Sequence, residues 1–404
     1  MDFPQRHRDF RTSQKRAAKF RWLVKGGTHL SGPRWHALGD GLNQGDPLAD
    51  AVVDWMHEYG MKAGRALFEQ GIRQGVDTFS PQQIEDAGPL LSFLAEVEKR
   101  PDWLNNELLA LGSRVLDRVH PVSYYVLRDA ALMAGYLSSD LNKPLLMTGA
   151  LQGGASRRVA QTMKWFSDCA ESGGLQRQGP GFASTLHVRL LHAMIRKQLY
   201  KHRDWDADEM GLPINQTDMV ATWLAFSVVF LGGARLMGVP FTKREAKAVM
   251  HLWKYACWLM GVDEQWLTDD ETEGRRLLFH IFGTYRSANE SSRLMGIALK
   301  NEVPQIPFPR WRGWVWRWEQ AKHLSLTALF VGPKGMKQLG LPMWIPPWYP
   351  MLSFPINLLT HTLLRFSPTL QRRYERRGHK ARDELVQLHF GIETPDLASF
   401  SDQT

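Results

Sequence analysis

Residues Met219 to Ala234 read MVATWLAFSVVFLGGA, sixteen positions without a charge. A membrane crossing needs about 20 apolar residues, and this run carries Gly232-Gly233 near its end. It is too short to span a bilayer and too apolar to face water. The stretch therefore predicts a core helix buried all round, which demands a large shell of amphipathic elements to cover it.

The rest of the chain offers that shell in helical form. Asp46 to Gly75 has apolar residues at 3–4 spacing and opens with Asp-Pro, a helix start. Ser80-Pro81 begins a second helix with Pro81 at the first helical position. The pattern repeats over Asp102 to Val119, Val122 to Tyr136, 141–170 and 182–201. Thr242 and Glu245 stand in capping-box positions before a helix ending at Gly261, and Glu271 to Leu299 adds another. Asp218 or Thr217 is placed to cap the apolar helix. No segment shows sustained period-two alternation between turn residues, so the fold is read as all-α.

Hydrophobic residues make up 44% of the 404, enough for one large core. Three segments differ in character: a loose basic N-terminal arm (1–45), a helical core (46–300) and a Trp/Pro-rich extension (301–404). Six tryptophans, Trp311, Trp314, Trp316, Trp318, Trp344 and Trp348, crowd the extension, and Pro342 to Pro355 is read as non-helical. Beyond Ile356 an amphipathic helix, broken at Pro368, runs into the arginines of LQRRYERRGHK. Two readings fit residues 343–380: a peripheral membrane contact, or a lid over a pocket with a solvated tail. Cys169 and Cys257 exclude a disulfide framework or cysteine-rich zinc cluster. The basic N-terminus has no apolar segment of a secretory leader, so a cytoplasmic address is expected. The formal charge of +9 does not by itself call for nucleic acid, and none is expected as a partner.

Chemistry concentrates between Gly153 and Leu199. Arg158, Gln161 and Thr162 fall at i, i+3 and i+4, one face of a helix. Thirty residues after Thr162 comes His192, with Arg189 and Arg196 at i−3 and i+4 and Leu186, Leu190, Ala193 and Leu199 as apolar surroundings. Two antiparallel helices would set a basic polar face opposite one imidazole. A flat anionic cofactor with a metal centre fits that arrangement, with His192 as axial ligand and arginines for its carboxylates. The competing reading pairs these arginines with acids of neighbouring helices, since a buried arginine is costly unless paired. His187 points roughly 140° from His192 on the helix, which speaks against a shared metal. His251, His280 and Trp253 fit a pocket wall or, more simply, the core.

The pattern RxxQT (Arg158, Gln161, Thr162) followed by RLLHAxxR (Arg189 to Arg196), then NQxD and HLWKYxxWLMGV, resembles the latex-clearing protein (rubber oxygenase)/MpaB-type family. The resemblance implies a globin-like helical domain enclosing a haem b pocket. It implies dioxygen and a small apolar unsaturated substrate as reactants, with oxidative C=C cleavage as the reaction. It makes His192 the proximal iron ligand and puts Arg158, Gln161 and Thr162 on the catalytic, distal side. Rubber enzymes carry a lysine where this chain has Gln161, and a glutamate near the position of Asn142, with Asp140 close by. HExxH, CxxC, GxSxG, GxxxxGK[ST] and paired Glu-x-x-His motifs are missing. A haem-binding protein without turnover, and a non-haem lipid or membrane-surface protein, remain as rival functions.

Overall fold

A computed structural model describes residues 3–149, 155–306 and 314–390. Gly153, Trp311 and residues 391–404 of the expected extension lie outside the described residues. The helices of nine residues or more are numbered in chain order. They are α1 (Phe10–Ala18), α2 (Gly32–Asp40), α3 (Pro47–Tyr59), α4 (Met61–Gln74), α5 (Gly88–Glu98), α6 (Asn106–Val119) and α7 (122–135). There follow α8 (Ser139–Met147), α9 (Ala155–Ala170), α10 (Pro180–Tyr200), α11 (Gln216–Leu236), α12 (Lys243–Leu259) and α13 (Glu271–Thr284). Last come α14 (Glu290–Lys300), α15 (Val315–Gln338), α16 (Trp348–Leu363) and α17 (Pro368–Phe390). Among the described residues there is no strand.

Local sequence accounts for most starts. Asp46 caps α3 with Pro47 at the first position, Asn105 caps α6, and Thr242 with Glu245 closes a capping box at α12. At α11 the cap is Asn215, whose side chain accepts from the Asp218 N–H. Asp218, expected as the cap, instead takes Arg6 Nη2 at 2.7 Å and the Tyr285 hydroxyl at 2.7 Å. Tertiary partners outbid the local bond there.

Helix α11 contains the uncharged run and sits in the core: 67% of its most apolar stretch is buried. It packs beside α7, α12 and α13. Both α7 and α11 carry a π-helical turn, Val126–Leu132 and Ala225–Val229, and the two turns lie against each other. Helix α12 is buried almost throughout, and α6 lies along it. The antiparallel pair α9–α10 closes one side, with α3 behind α10 and α17 across α6 and α9.

Two expectations are corrected. Residues 3–45 are no loose arm: α1 lies along α13, Ala17, Leu30 and Leu38 are fully buried, and Arg6 reaches the core acid Asp218. The segment 342–355 is not wholly irregular, because α16 starts at Trp348. Pro350 occupies its first turn, where an N–H has no helical partner to lose, and Pro355 is accommodated within the helix. The break at Pro368 is as expected; that proline opens α17.

Candidate functional site: an interior cavity

Helices α7, α9, α10 and α11 line much of a partly open cavity of about 1630 Å³. Its wall is mainly apolar, with Leu127, Val188, Leu191, Ile195, Phe226, Val229 and Phe330 among the lining residues. Drug-sized ligands occupy about 300–1,000 Å³, so the space exceeds one small molecule.

Arg158, Gln161, Thr162 and Trp165 line it from one stripe of α9, the i, i+3, i+4, i+7 face read from the sequence. His192 lines it from α10, on the stripe with Val188, Leu191, Ile195 and Leu199. Leu186, Leu190, Ala193 and Leu199 are buried, as the pattern predicts.

His192 Nδ1 is buried with no hydrogen-bond partner, leaving Nε2 as the nitrogen with access to the cavity. Burial pushes the imidazole down to about 4, the nearby charges of Arg196 and Arg158 push the same way, and Asp46 opposes them. The ring is therefore neutral near pH 7, the form that binds a metal. Arg158 is half-buried and its buried Nη1 lacks a partner; desolvation lowers its pKa. Tyr136, on the same wall, is pushed up to about 12 by burial, with the Arg158 charge acting against the rise.

Arg189 and Arg196 are corrected. Neither lines the cavity. Arg189 is held by both carboxylate oxygens of Asp46, at 2.6 and 2.9 Å, and donates to the Leu259 carbonyl. Arg196 meets Asp50 at 3.0 Å and the Ile214 carbonyl at 2.7 Å. They occupy the stripe beside that of His192, and their length carries the guanidinium groups back to α3. These cations neutralise helix acids and face away from the cavity; Arg196 Nη2 alone is left without a partner among the described residues.

His187 is bonded to Glu69 of α4, and no group of three or more metal-binding side chains occurs among the described residues. His251 and Trp253 are fully buried, His251 between Asp269 and the Asn105 N–H, and His280 is buried as well: all three belong to the core. Asn142 does not reach the cavity; its Nδ2 donates to the Tyr136 carbonyl at 2.9 Å and to Ser291 at 3.1 Å. Asp140 is buried against Arg286. Asp218 is the carboxylate on the cavity wall, and Arg6, Tyr285 and Asn215 hold it.

The sequence reading missed Tyr136, Phe226 and the π-helical turns. A π turn holds one extra residue, which leaves no mark on a 3–4 apolar pattern, yet such turns frequently occur at functional sites. Here both supply cavity wall, through Leu127, Ala131, Phe226 and Val229.

A helical domain whose interior chamber carries an unpaired imidazole and an unpaired guanidinium donor defines a ligand-enclosing all-α protein. The chain belongs to the family described as ER-bound oxygenase mpaB/B'/rubber oxygenase, whose catalytic-domain model matches residues 118–380, more than half of its length. It is thus a member of an oxygenase family. A solved structure of latex clearing protein LCP in the closed state has the same fold. The TM-score is 0.56 and the identity 17%, over 94% of this chain and 91% of that one. No curated protein matches the chain.

Proposed function

We propose that this protein is a haem-b-dependent oxygenase acting with dioxygen on an apolar unsaturated substrate, isoprenoid or lipid-like, and cleaving a C=C bond. The observation that carries the reading is the half-buried His192 ring, neutral and with its buried Nδ1 unpartnered, on the wall of a cavity that also holds the unpartnered Nη1 of Arg158. These residues fit the group: one imidazole for iron, donors on a neighbouring helix, and apolar walls with room for a substrate chain. Haem, when bound, supplies the iron that binds and activates dioxygen.

The chain's own residues do the rest. His192 would hold the iron through the ring nitrogen opposite the buried, unpartnered Nδ1. Arg158, Gln161 and Thr162 present donors along one face of α9, where they would stabilise developing negative charge. Leu127, Phe226, Val229 and Phe330 exclude water and hold the alkene. The proposed setting is cytoplasmic.

A second reading, haem binding without turnover, is favoured by one feature: Asn142 and Asp140 lie off the cavity, and the wall carboxylate Asp218 is fully engaged. An absorption spectrum of the purified chain, oxidised, reduced and with carbon monoxide, tests both. A Soret band for about one haem per chain, moved by carbon monoxide and lost in His192→Ala, is expected. A colourless chain that takes up no added haemin overturns both readings. Oxygen uptake with isoprenoid and unsaturated fatty chains then separates them.

A further inference from the structure

Helix α16, WYPMLSFPINLLTHTL, has no Asp, Glu, Lys or Arg. It touches the body along one narrow side, through buried Pro350 and His361 and through Asn357, which donates to the Met237 carbonyl at 2.8 Å. Its outer side is a stripe of Leu352, Ile356, Leu359 and Leu363 at i, i+4, i+7 and i+11, exposed by 62, 64, 63 and 52%. Phe366, 81% exposed, and Leu370 continue it into α17. None of the stripe lines the cavity, so the helix is not a lid. An apolar stripe of this length on a folded protein marks a surface that something covers.

The flanks say what. Helix α17 is held to the body by Glu375, Gly378, Arg382 and Val386, which leaves Arg372, Arg373, Arg376 and Arg377 exposed on its outer side. No carboxylate among the described residues pairs with these four. Arg373 and Arg377 share the face of Leu370 at i+3 and i+7. At the other end stand exposed Trp344 and the Trp318–Trp348 pair, ring centroids 5.0 Å apart. Aliphatic chains bounded by indoles at one end and free guanidinium groups at the other match acyl chains, the interfacial belt and lipid phosphates. A second copy would bring more arginines and, on α16, no carboxylate to meet them.

We propose that α16 and the first half of α17 dock this protein on an anionic phospholipid surface. Docking also positions the cavity. Leu236, at the end of α11, lines the cavity and is 56% exposed, and the next residue is the one held by Asn357. Gly238 packs against the Phe354 backbone. The docked face thus holds a cavity rim at the lipid surface. If the oxygenase reading holds, on which this consequence alone rests, an apolar substrate dissolved in the bilayer enters beside Leu236 without crossing water.

The test is flotation of the purified full-length chain with phosphatidylcholine vesicles, with and without phosphatidylserine, at low and high salt. The chain is expected to float with phosphatidylserine vesicles at low salt and to be released at high salt. Partitioning should fall about tenfold in Ile356→Glu/Leu359→Glu and about tenfold in Arg373→Glu/Arg377→Glu, with circular dichroism and thermal midpoint unchanged. A chain that stays in the buffer with both vesicle types overturns the proposal, as does equal binding to phosphatidylcholine alone. A dimer that ignores vesicles and becomes a monomer in Ile356→Glu would assign the stripe to self-association and overturn it too. Flotation is read without turnover, so its failure leaves the oxygenase reading intact, and loss of that reading leaves the docking surface intact.

Discussion

Asp46 closes the first turn of α3 with one oxygen and grips Arg189 of α10 with both. Both side chains are buried, and removing one partner of such a pair leaves an uncompensated charge. Asp46→Ala is therefore expected to destabilise the fold by about 3–5 kcal/mol in urea titration. A loss under 1 kcal/mol would mean that Arg189 finds another anion. Next to the pair, Gly261 has φ +87°, and a Cβ there would meet Asp46 and Arg189. Gly261→Ala should cost about 1–2 kcal/mol from backbone strain, and more if the ion pair is displaced. Arg158 sits on the cavity and pairs with no acid among the described residues, so Arg158→Ala should leave the thermal midpoint nearly unchanged and retain the cofactor. Oxygen-dependent turnover should fall by about 10²–10³. A variant with full turnover removes Arg158 from the chemistry. Arg158 and Arg189 look alike in the sequence, each a helical arginine near a polar face. What separates them is an aspartate 143 residues away in the chain from Arg189, which no local pattern reveals.

At the scale of elements, most caps and the i, i+3, i+4 stripes were legible, because each is decided within one or two turns; the α11 cap, Asn215 rather than Asp218 or Thr217, was the exception. Helix α17 shows where that ends. Its arginines read as one basic cluster, but Arg382 is buried and bonded to Ser167, Asp117 and Glu171, whereas Arg372 and Arg376 face solvent. The hinge of that packing is Gly378, where a Cβ would collide with the Asp117 carbonyl of α6. Gly378→Ala gains helix propensity of about 1 kcal/mol but forces the two helices apart. A net loss of about 1–3 kcal/mol is expected by chemical denaturation, and a stabilised variant would mean that α17 is not seated on α6. The π-helical turns of α7 and α11 are the other case. They bring two helices together at the cavity wall, and their extra residues cannot be told from ordinary helix in the sequence.

For the whole molecule, burial sets the response to acid. His7, His120, His280 and His361 are each pushed down to about 4, chiefly by desolvation. Around His361, Arg118 and Arg365 lower it further and Glu245 opposes them. An unfolded histidine titrates near about 6.5, so between that pH and about 4 the unfolded chain binds protons that the folded one refuses. Stability is complete above that window and falls as pH drops through it, by about 1.4 kcal/mol per pH unit for each such group. Asp117, raised to about 6, works the other way, and so does Asp50, but the four histidines outweigh them. Thermal midpoints should therefore fall steadily from pH 7 to pH 4.5, with a shallower slope in His361→Phe. A flat profile would mean that these rings stay wet. The sequence by itself determined most helices of the core and most of their starts, the buried apolar helix and the α9 and α10 faces that meet, since periodicity and capping act over a few residues. Tertiary structure alone decided which arginines are spent on acids, which acid stays off the cavity, that the N-terminal segment joins the core, and that the α16 stripe has no cover from the described residues. Those outcomes depend on charges and surfaces brought together from distant parts of the chain, where the cost of burying an unpaired group or leaving an apolar face wet selects the partner.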